Sequence, residues 1–273
     1  MSGIAEVIVQ SHPVAGTLIL LAILIHSWQM AISAFFATAI ATGFAILIKK
    51  KQKIIALGLY GYNATLIGIA FVYLYQVTYL SIFILFICSI LSVYISLWIP
   101  AYLKVPTFTA PFVLITWLVI GVENLLHLLP AGNVLNFNDN IYTLGLGEAV
   151  GQVYLQGNGI TGVIILLAIV LYAKSDFIWA MAATCLAWLI AHTLNYPAVN
   201  IENGLYGFSA VLTAIALQNI KPLIFPISGI IITVFVTQAF ILIGWPSLTA
   251  PFVIVSWLVI LTHRFYLNQS AQS

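Results

Sequence analysis

Two threonines stand in the same short phrase, Thr109-Ala-Pro-Phe112 and Thr249-Ala-Pro-Phe252, each opening a long apolar run. A hydroxyl both donates and accepts, and a proline two residues later suits the first turn of a helix, so each threonine is expected to cap a helix that starts there. As helix, the stretch from Thr109 to Glu123 covers about 21 Å, short of the roughly 30 Å hydrocarbon core of a bilayer. Lys104 to Phe108 must then descend in another conformation and leave Thr109 inside the membrane, with Thr249 approached from the other face. The plainer alternative is an ordinary proline-bearing helix whose threonine bonds its own backbone; two matched copies favour a shared site. Glu6 and Gln152 place a carboxyl and a carboxamide among apolar neighbours, where a polar group is costly and is by default functional. The alternative for each is an interfacial residue at the mouth of a re-entrant turn, and Glu148 is expected at an outer mouth. Tyr62 with Leu66, and Phe208 with Leu212, are spaced to share one helix face. Those faces are either walls of a narrow passage or plain packing surfaces.

These groups have to be positioned by membrane-spanning helices. The chain has 273 residues, 63% of them hydrophobic and 5% charged, far from the quarter of charged residues usual in soluble domains. Cys88 and Cys185 lie in apolar stretches without metal-ligand spacing and read as small apolar fillers. The eight basic residues sit in short loops rather than on one patch, so nucleic acid is not an expected partner. No basic leader precedes the apolar segments, and Met1 is expected to begin the mature chain.

The sequence repeats. Gly58-Leu-Tyr-Gly-Tyr-Asn-Ala-Thr-Leu-Ile-Gly-Ile-Ala70 matches Gly204-Leu-Tyr-Gly-Phe-Ser-Ala-Val-Leu-Thr-Ala-Ile-Ala216, and Thr109 to Ile120 matches Thr249 to Ile260. The first register also brings Glu6-Val7 onto Gln152-Val153. Apolar runs near 13-29, 31-48, 54-77, 79-103 and 105-129, after a short piece at 3-12, give five crossings and one re-entrant candidate per copy. An odd number of crossings inverts the second copy. Placing Lys49, Lys50, Lys51 and Lys53 in the cytoplasm then puts Lys104, Lys174, Lys221 and Arg264 there too, and both termini with them. The expected plan is an all-α integral membrane protein of two inverted five-helix repeats, with ten transmembrane helices and two re-entrant pore helices. Its parts are 1-129, an extracytoplasmic linker 130-146, 147-264, and a cytoplasmic tail 265-273.

With those motifs, the chain resembles the urea transporter family over nearly its whole length. The resemblance rests on Gly61-Tyr-Asn-Ala-Thr-Leu-Ile-Gly68, Gly207-Phe-Ser-Ala-Val-Leu212 and the paired Thr-x-Pro-Phe motifs. It implies a homotrimer in the cell membrane with one urea pore per subunit along the pseudo-twofold interface, and no cofactor or metal. It also implies that Glu6 and Gln152 serve the outer and inner binding regions, that Thr109 and Thr249 form the central constriction with Val7 and Val153 lining it, and that Tyr62, Leu66, Phe208 and Leu212 form the walls of a slot. Ser11-His12-Pro13 and Gly157-Asn158-Gly159 depart from the family's usual residues after each pore helix.

Urea is neutral and planar, with one carbonyl acceptor and four N–H donors, and losing its hydration unreplaced costs several kcal/mol. Oxygen acceptors between flat apolar walls would replace that hydration stepwise, and a pore without a basic ring suits a neutral solute. The chain is therefore expected to be a passive urea channel. An ammonium or small-amide channel and an ion-coupled transporter are the alternatives; the histidines lack repeat-related partners, and only Glu6 is seen as a coupling acid. No H-E-x-x-H, G-x-S-x-G or acid pair points to an enzyme.

Overall fold

The computed structural model describes residues 1–8, 12–132, 146–155 and 159–270. In the first half the helices are α1 (Ser2–Ala5), followed by a 3-10 turn over Glu6–Ile8, then α2 (Pro13–His26), α3 (Trp28–Leu47), α4 (Gln52–Ala56), α5 (Tyr62–Leu74), α6 (Tyr79–Tyr102) and α7 (Ala110–Leu126). In the second they are α8 (Leu146–Gly151), a 3-10 turn over Gln152–Tyr154, α9 (Gly159–Tyr172), α10 (Lys174–Thr193), α11 (Ala198–Glu202), α12 (Gly207–Leu217), α13 (Ile224–Ile243) and α14 (Ala250–Ser270). The order of elements is the same in both halves. The starts of α2 and α9, of α3 and α10, and of α4 and α11 are each 146 residues apart, and those of α7 and α14 are 140 apart.

This is a multi-pass membrane protein. Among the described residues, five helices are long and apolar enough to cross a bilayer, and a sixth span follows if Ser2–Ile8 and α2, which meet at 82°, count as one. Four shorter apolar helices lie over Tyr62–Leu74, Ala110–Leu126, Thr161–Tyr172 and Gly207–Leu217. The third crossing expected in each half is broken: α4 stops at Ala56 and α5 starts at Tyr62, as α11 stops at Glu202 and α12 starts at Gly207. Gly58 and Gly204, both left-handed at φ 83° and 68°, turn the chain inside these breaks.

The breaks leave α5 and α12 short and buried on every side, with all residues from Tyr62 to Phe71 and from Gly207 to Ile215 inside. A helix apolar all round belongs in the centre, and these two are the cores of their halves. Small residues let their neighbours close in. Ala34, Ala37, Ala41 and Ala45 of α3 are buried, and Ala180, Ala183, Ala187 and Ala191 of α10 repeat that stripe. Hydroxyls tie the contacts: Ser33 Oγ donates to the Gly68 carbonyl at 2.7 Å, and Thr38 and Thr65 share a 2.6 Å bond.

The equivalent helices α2 and α9 pack side by side and antiparallel. His12, before the first residue of α2, stacks on Tyr172 at the end of α9 at 4.2 Å, while Thr161 near the start of α9 donates to the Ala22 carbonyl near the end of α2 at 3.4 Å. Left-handed backbone recurs in register as well. Lys49 pairs with Asn195 (φ 56° and 51°), Lys104 with Gly244 (55° and 72°) and Phe108 with Leu248 (44° and 46°). For bulky side chains this conformation is strained, and the last pair immediately precedes Thr109 and Thr249.

Gly58 also holds α1. A Cβ built on it would lie 2.4 Å from the Gly3 nitrogen and 2.5 Å from the Ser2 carbonyl carbon, so no side chain fits unless α1 moves. Gly58→Ala is expected to lower the thermal unfolding midpoint in detergent by several degrees. Gly43→Ala, where a Cβ meets nothing within 4 Å, should leave it unchanged or raised.

Candidate functional site

The two Thr-Ala-Pro-Phe phrases meet. Thr109 and Thr249 precede α7 and α14, and their hydroxyls are 2.6 Å apart and buried. The expected capping role is corrected here for Thr109: it occupies the N-cap position of α7, but its side chain makes no cap bond. That duty has passed to another helix. Asn63, on α5, accepts from the Phe112 N–H through Oδ1 at 3.1 Å and donates to the Phe108 carbonyl through Nδ2 at 3.2 Å. The Tyr62 hydroxyl donates to the same carbonyl. The Thr109 hydroxyl, making no bond to its own helix, faces its repeat mate.

Reciprocal ties surround the threonine pair. The indole of Trp117 donates to the Pro246 carbonyl at 2.8 Å, and that of Trp257 donates to the Pro106 carbonyl at 2.8 Å. Each half thus grips the chain that descends to the other half's threonine, the pattern of an isologous contact about a twofold axis. Phe108 and Phe252 add an aromatic contact at 4.9 Å between ring centres.

A cavity of about 700 Å³ leads to this point. Glu6, Val7, Tyr62 and Thr109 all line it, together with Phe108, Phe252, Ser96, Asp176 and Gln218. Part of its lining, Ile54, Pro106, Asp176 and Asn219, lies beside the sequence positions of Lys53, Lys104, Lys174 and Lys221. Arg264 Nη1 donates to the Lys104 carbonyl at 2.7 Å, and a ring nitrogen of His263 bonds the Lys221 carbonyl at 2.9 Å. The basic loops therefore gather at the cavity's mouth. At that mouth Ser175 Oγ donates to Gln218 Oε1 and Gln218 Nε2 donates to Asp176 Oδ1, each at 2.6 Å.

Not every expected site residue reaches the cavity. Thr249 joins it through Thr109; Val153, Phe208, Leu212 and Leu66 are buried and are not among its lining, and Gln152 is half-buried in the turn after α8. The side chain of Glu148 lies outside the described residues. Sequence reasoning missed Asn63, Phe108, Ser96, Asp176 and Gln218. Asn63 lay within the repeated motif, and its mismatch with Ser209 was the available signal. Histidines serve locally: His12 caps α2 by accepting from the Val14 N–H at 3.3 Å, and none lines the cavity. Among the described residues no group of three His, Cys, Asp or Glu could hold a metal ion.

A family model described as "Urea transporter" matches residues 1–264. The chain is also similar to urea transporter 1 of Rattus norvegicus, 28% identical over 242 residues that cover 80% of this chain and 61% of the relative. The same protein of Mus musculus is 28% identical over 257 residues with the same coverage. That of Ovis aries is 25% identical over an alignment of 311 positions, covering 96% of this chain and 75% of the relative. The chain spans about 61% of the length of the rat and mouse proteins.

The reciprocal indole bonds give a direct test of the pseudo-twofold contact. Trp117→Phe and Trp257→Phe are each expected to reduce stability by about 1 kcal/mol, the net worth of one hydrogen bond. The losses should be similar in the two variants when measured by unfolding in detergent.

Proposed function

This chain belongs to the urea transporter family, and we propose that it carries urea passively across the cytoplasmic membrane, down its gradient, through a channel that crosses the Thr109–Thr249 pair. The observation that carries this reading is the pair itself: two buried hydroxyls from the two halves, 2.6 Å apart, one of which, that of Thr109, belongs to a residue lining the cavity. Either hydroxyl can leave the other and accept from a urea N–H, so the solute meets replacement hydrogen bonds where the path is narrowest.

In this reading Glu6 accepts from urea in the cavity, and Val7 and Phe108 give it apolar flanks. Gln152 and Val153 play the matching parts beyond the constriction, and Tyr62, Leu66, Phe208 and Leu212 keep the passage flat. The positive-inside rule puts the side of the cavity next to the basic loops in the cytoplasm. Glu6 then lies on the inner side of the constriction, the reverse of the order that the family resemblance implied. Five long spans, the bent pair of Ser2–Ile8 and α2 taken as a sixth, and four shorter apolar helices are compatible with ten crossings, and the antiparallel packing of α2 against α9 supports inversion of 147-264 relative to 1-129. Residues 130-146 become the extracytoplasmic linker and 265-273 the cytoplasmic tail. This reading takes the assembly to be the homotrimer that the family resemblance implies.

The cavity lining counts against ammonium conduction by a histidine pair, since no histidine is part of it. Asp176 adds a second carboxylate to Glu6, but it is already bonded to Gln218.

The experiment is urea-driven volume change of proteoliposomes, followed by stopped-flow light scattering without an ion gradient. Fast flux that does not saturate is expected, with Thr109→Val and Gln152→Leu each lowering permeability about tenfold, the effect of about 1.4 kcal/mol on a barrier. Flux equal to that of empty liposomes would sink the reading. Flux that appears only with a proton or sodium gradient would replace the channel by a coupled transporter.

A further inference from the structure

The first half holds a cavity apart from the one that leads to Thr109. It has a volume of about 500 Å³, lies between α3, the end of α5 and the start of α6, and falls within the roughly 300–1,000 Å³ of ligand pockets. Trp28, Gln29, Ile32, Ser33, Phe36 and Ile40 bring one face of α3 to it, and no charged residue is among its described lining. From Trp28 to Ile40 the helix rises about 18 Å, slightly more than half of the roughly 30 Å hydrocarbon core. Phe71 and Leu85 are buried in its wall, while Ile32, Phe36, Ile82 and Phe86 are exposed along it. The cavity therefore opens sideways, onto the surface that a multi-pass protein presents to lipid. Its carboxamides collect at one end. Trp28, Gln29 and Gln76 are exposed there, and Tyr79, at the start of α6, is 95% exposed. Lys49 and Lys104 follow the opposite ends of α3 and α6. With the basic loops in the cytoplasm, the carboxamide end lies at the outer interface, where tryptophan and tyrosine gather.

The repeat shows that this space is written into the sequence. The mate of Ser33 is Trp179, half-buried and packed against the core. The mate of Val72 is Gln218, whose carboxamide crosses from α12 to Ser175 and Asp176 of α10. A large side chain and a long one thus occupy, in the second half, the positions that a serine and a valine hold in the first. The Ser33 hydroxyl is already committed to the Gly68 carbonyl at 2.7 Å, so it requires nothing of an occupant.

We infer that this groove binds one phospholipid of the outer leaflet, its acyl chain along α3 and its ester carbonyls accepting from the carboxamides of Gln29 and Gln76. Three observations select that occupant. The groove is continuous with the lipid-facing surface, its length matches one leaflet, and its carboxamide donors sit at the end where the ester groups of a lipid lie. A lining without charge grips chain and esters and leaves the head group in the interface, so zwitterionic and anionic phospholipids bind alike. The site is independent of which solute the protein carries.

The test titrates the delipidated full chain in micelles with 1-palmitoyl-2-oleoyl phosphatidylethanolamine or the matching phosphatidylglycerol. Native mass spectrometry counts both chains and lipids in each particle. Saturable binding of one lipid per chain is expected, with the same half-saturating concentration for the two lipids. Ser33→Trp, which copies the second half, and Ile32→Trp, which fills the groove from its exposed edge, should each raise that concentration at least tenfold. Ile25→Trp, exposed on α2 and outside the lining, should not change it. Binding that survives both Ser33→Trp and Ile32→Trp, or that requires phosphatidylglycerol, overturns the site. So does an Ile32→Trp protein whose number of chains per particle changes while its lipid count does not, because a second copy would then be what covers the groove.

Discussion

A backbone amide inside a bilayer has no water to turn to, and the architecture of this protein depends on how it meets that demand at two broken helices. α7 and α14 begin well within the apolar body, and each leaves N–H groups that a helix cannot satisfy from within. The central helix of the first half answers for α7 through Asn63, which accepts from the Phe112 N–H, and Tyr62 and Asn63 both donate to the Phe108 carbonyl just before it. Starting a helix there also requires left-handed backbone at Phe108 and Leu248, where neither side chain favours it. Such strain persists only because the surroundings hold it: α5 and α12 are buried on all sides, and the indoles of Trp117 and Trp257 fix the two descending segments.

That support also decides what the threonines do. A threonine capping its own helix would commit its hydroxyl to the backbone and offer little to a solute. Here the Thr109 hydroxyl makes no cap bond and instead faces Thr249. A twofold axis brings identical positions together, so a single hydroxyl per repeat becomes a facing pair at the centre. Duplication thus builds a polar point in the middle of an apolar wall from one residue of each copy.

Much of this was legible in the sequence. The repeat, the short reach of the helix after Thr109 and the clustering of the basic loops all follow from counting residues, because bilayer thickness and helical rise are fixed lengths. The joining of Thr109 to Glu6, Val7 and Tyr62 around one cavity was approached by motif position rather than by geometry. What escaped was long-range pairing. Nothing local marks Asn63 as a cap for a helix 49 positions away, and Thr109 carries every local sign of capping its own helix. The breaks between α4 and α5 and between α11 and α12 were hidden for a different reason: hydropathy runs through a left-handed glycine without interruption.

The comparison of halves carries further than either half alone. Where the same backbone is repeated and a side chain differs, the difference isolates what that side chain contributes. Asn63 and Ser209 stand at matched positions on matched buried helices, next to matched strained residues. The carboxamide completes a donor and an acceptor in one half, and the hydroxyl completes neither in the other. An unsatisfied buried donor or acceptor costs about 1–3 kcal/mol per group, so the carboxamide holds the start of α7 more firmly to its central helix than the hydroxyl holds the start of α14.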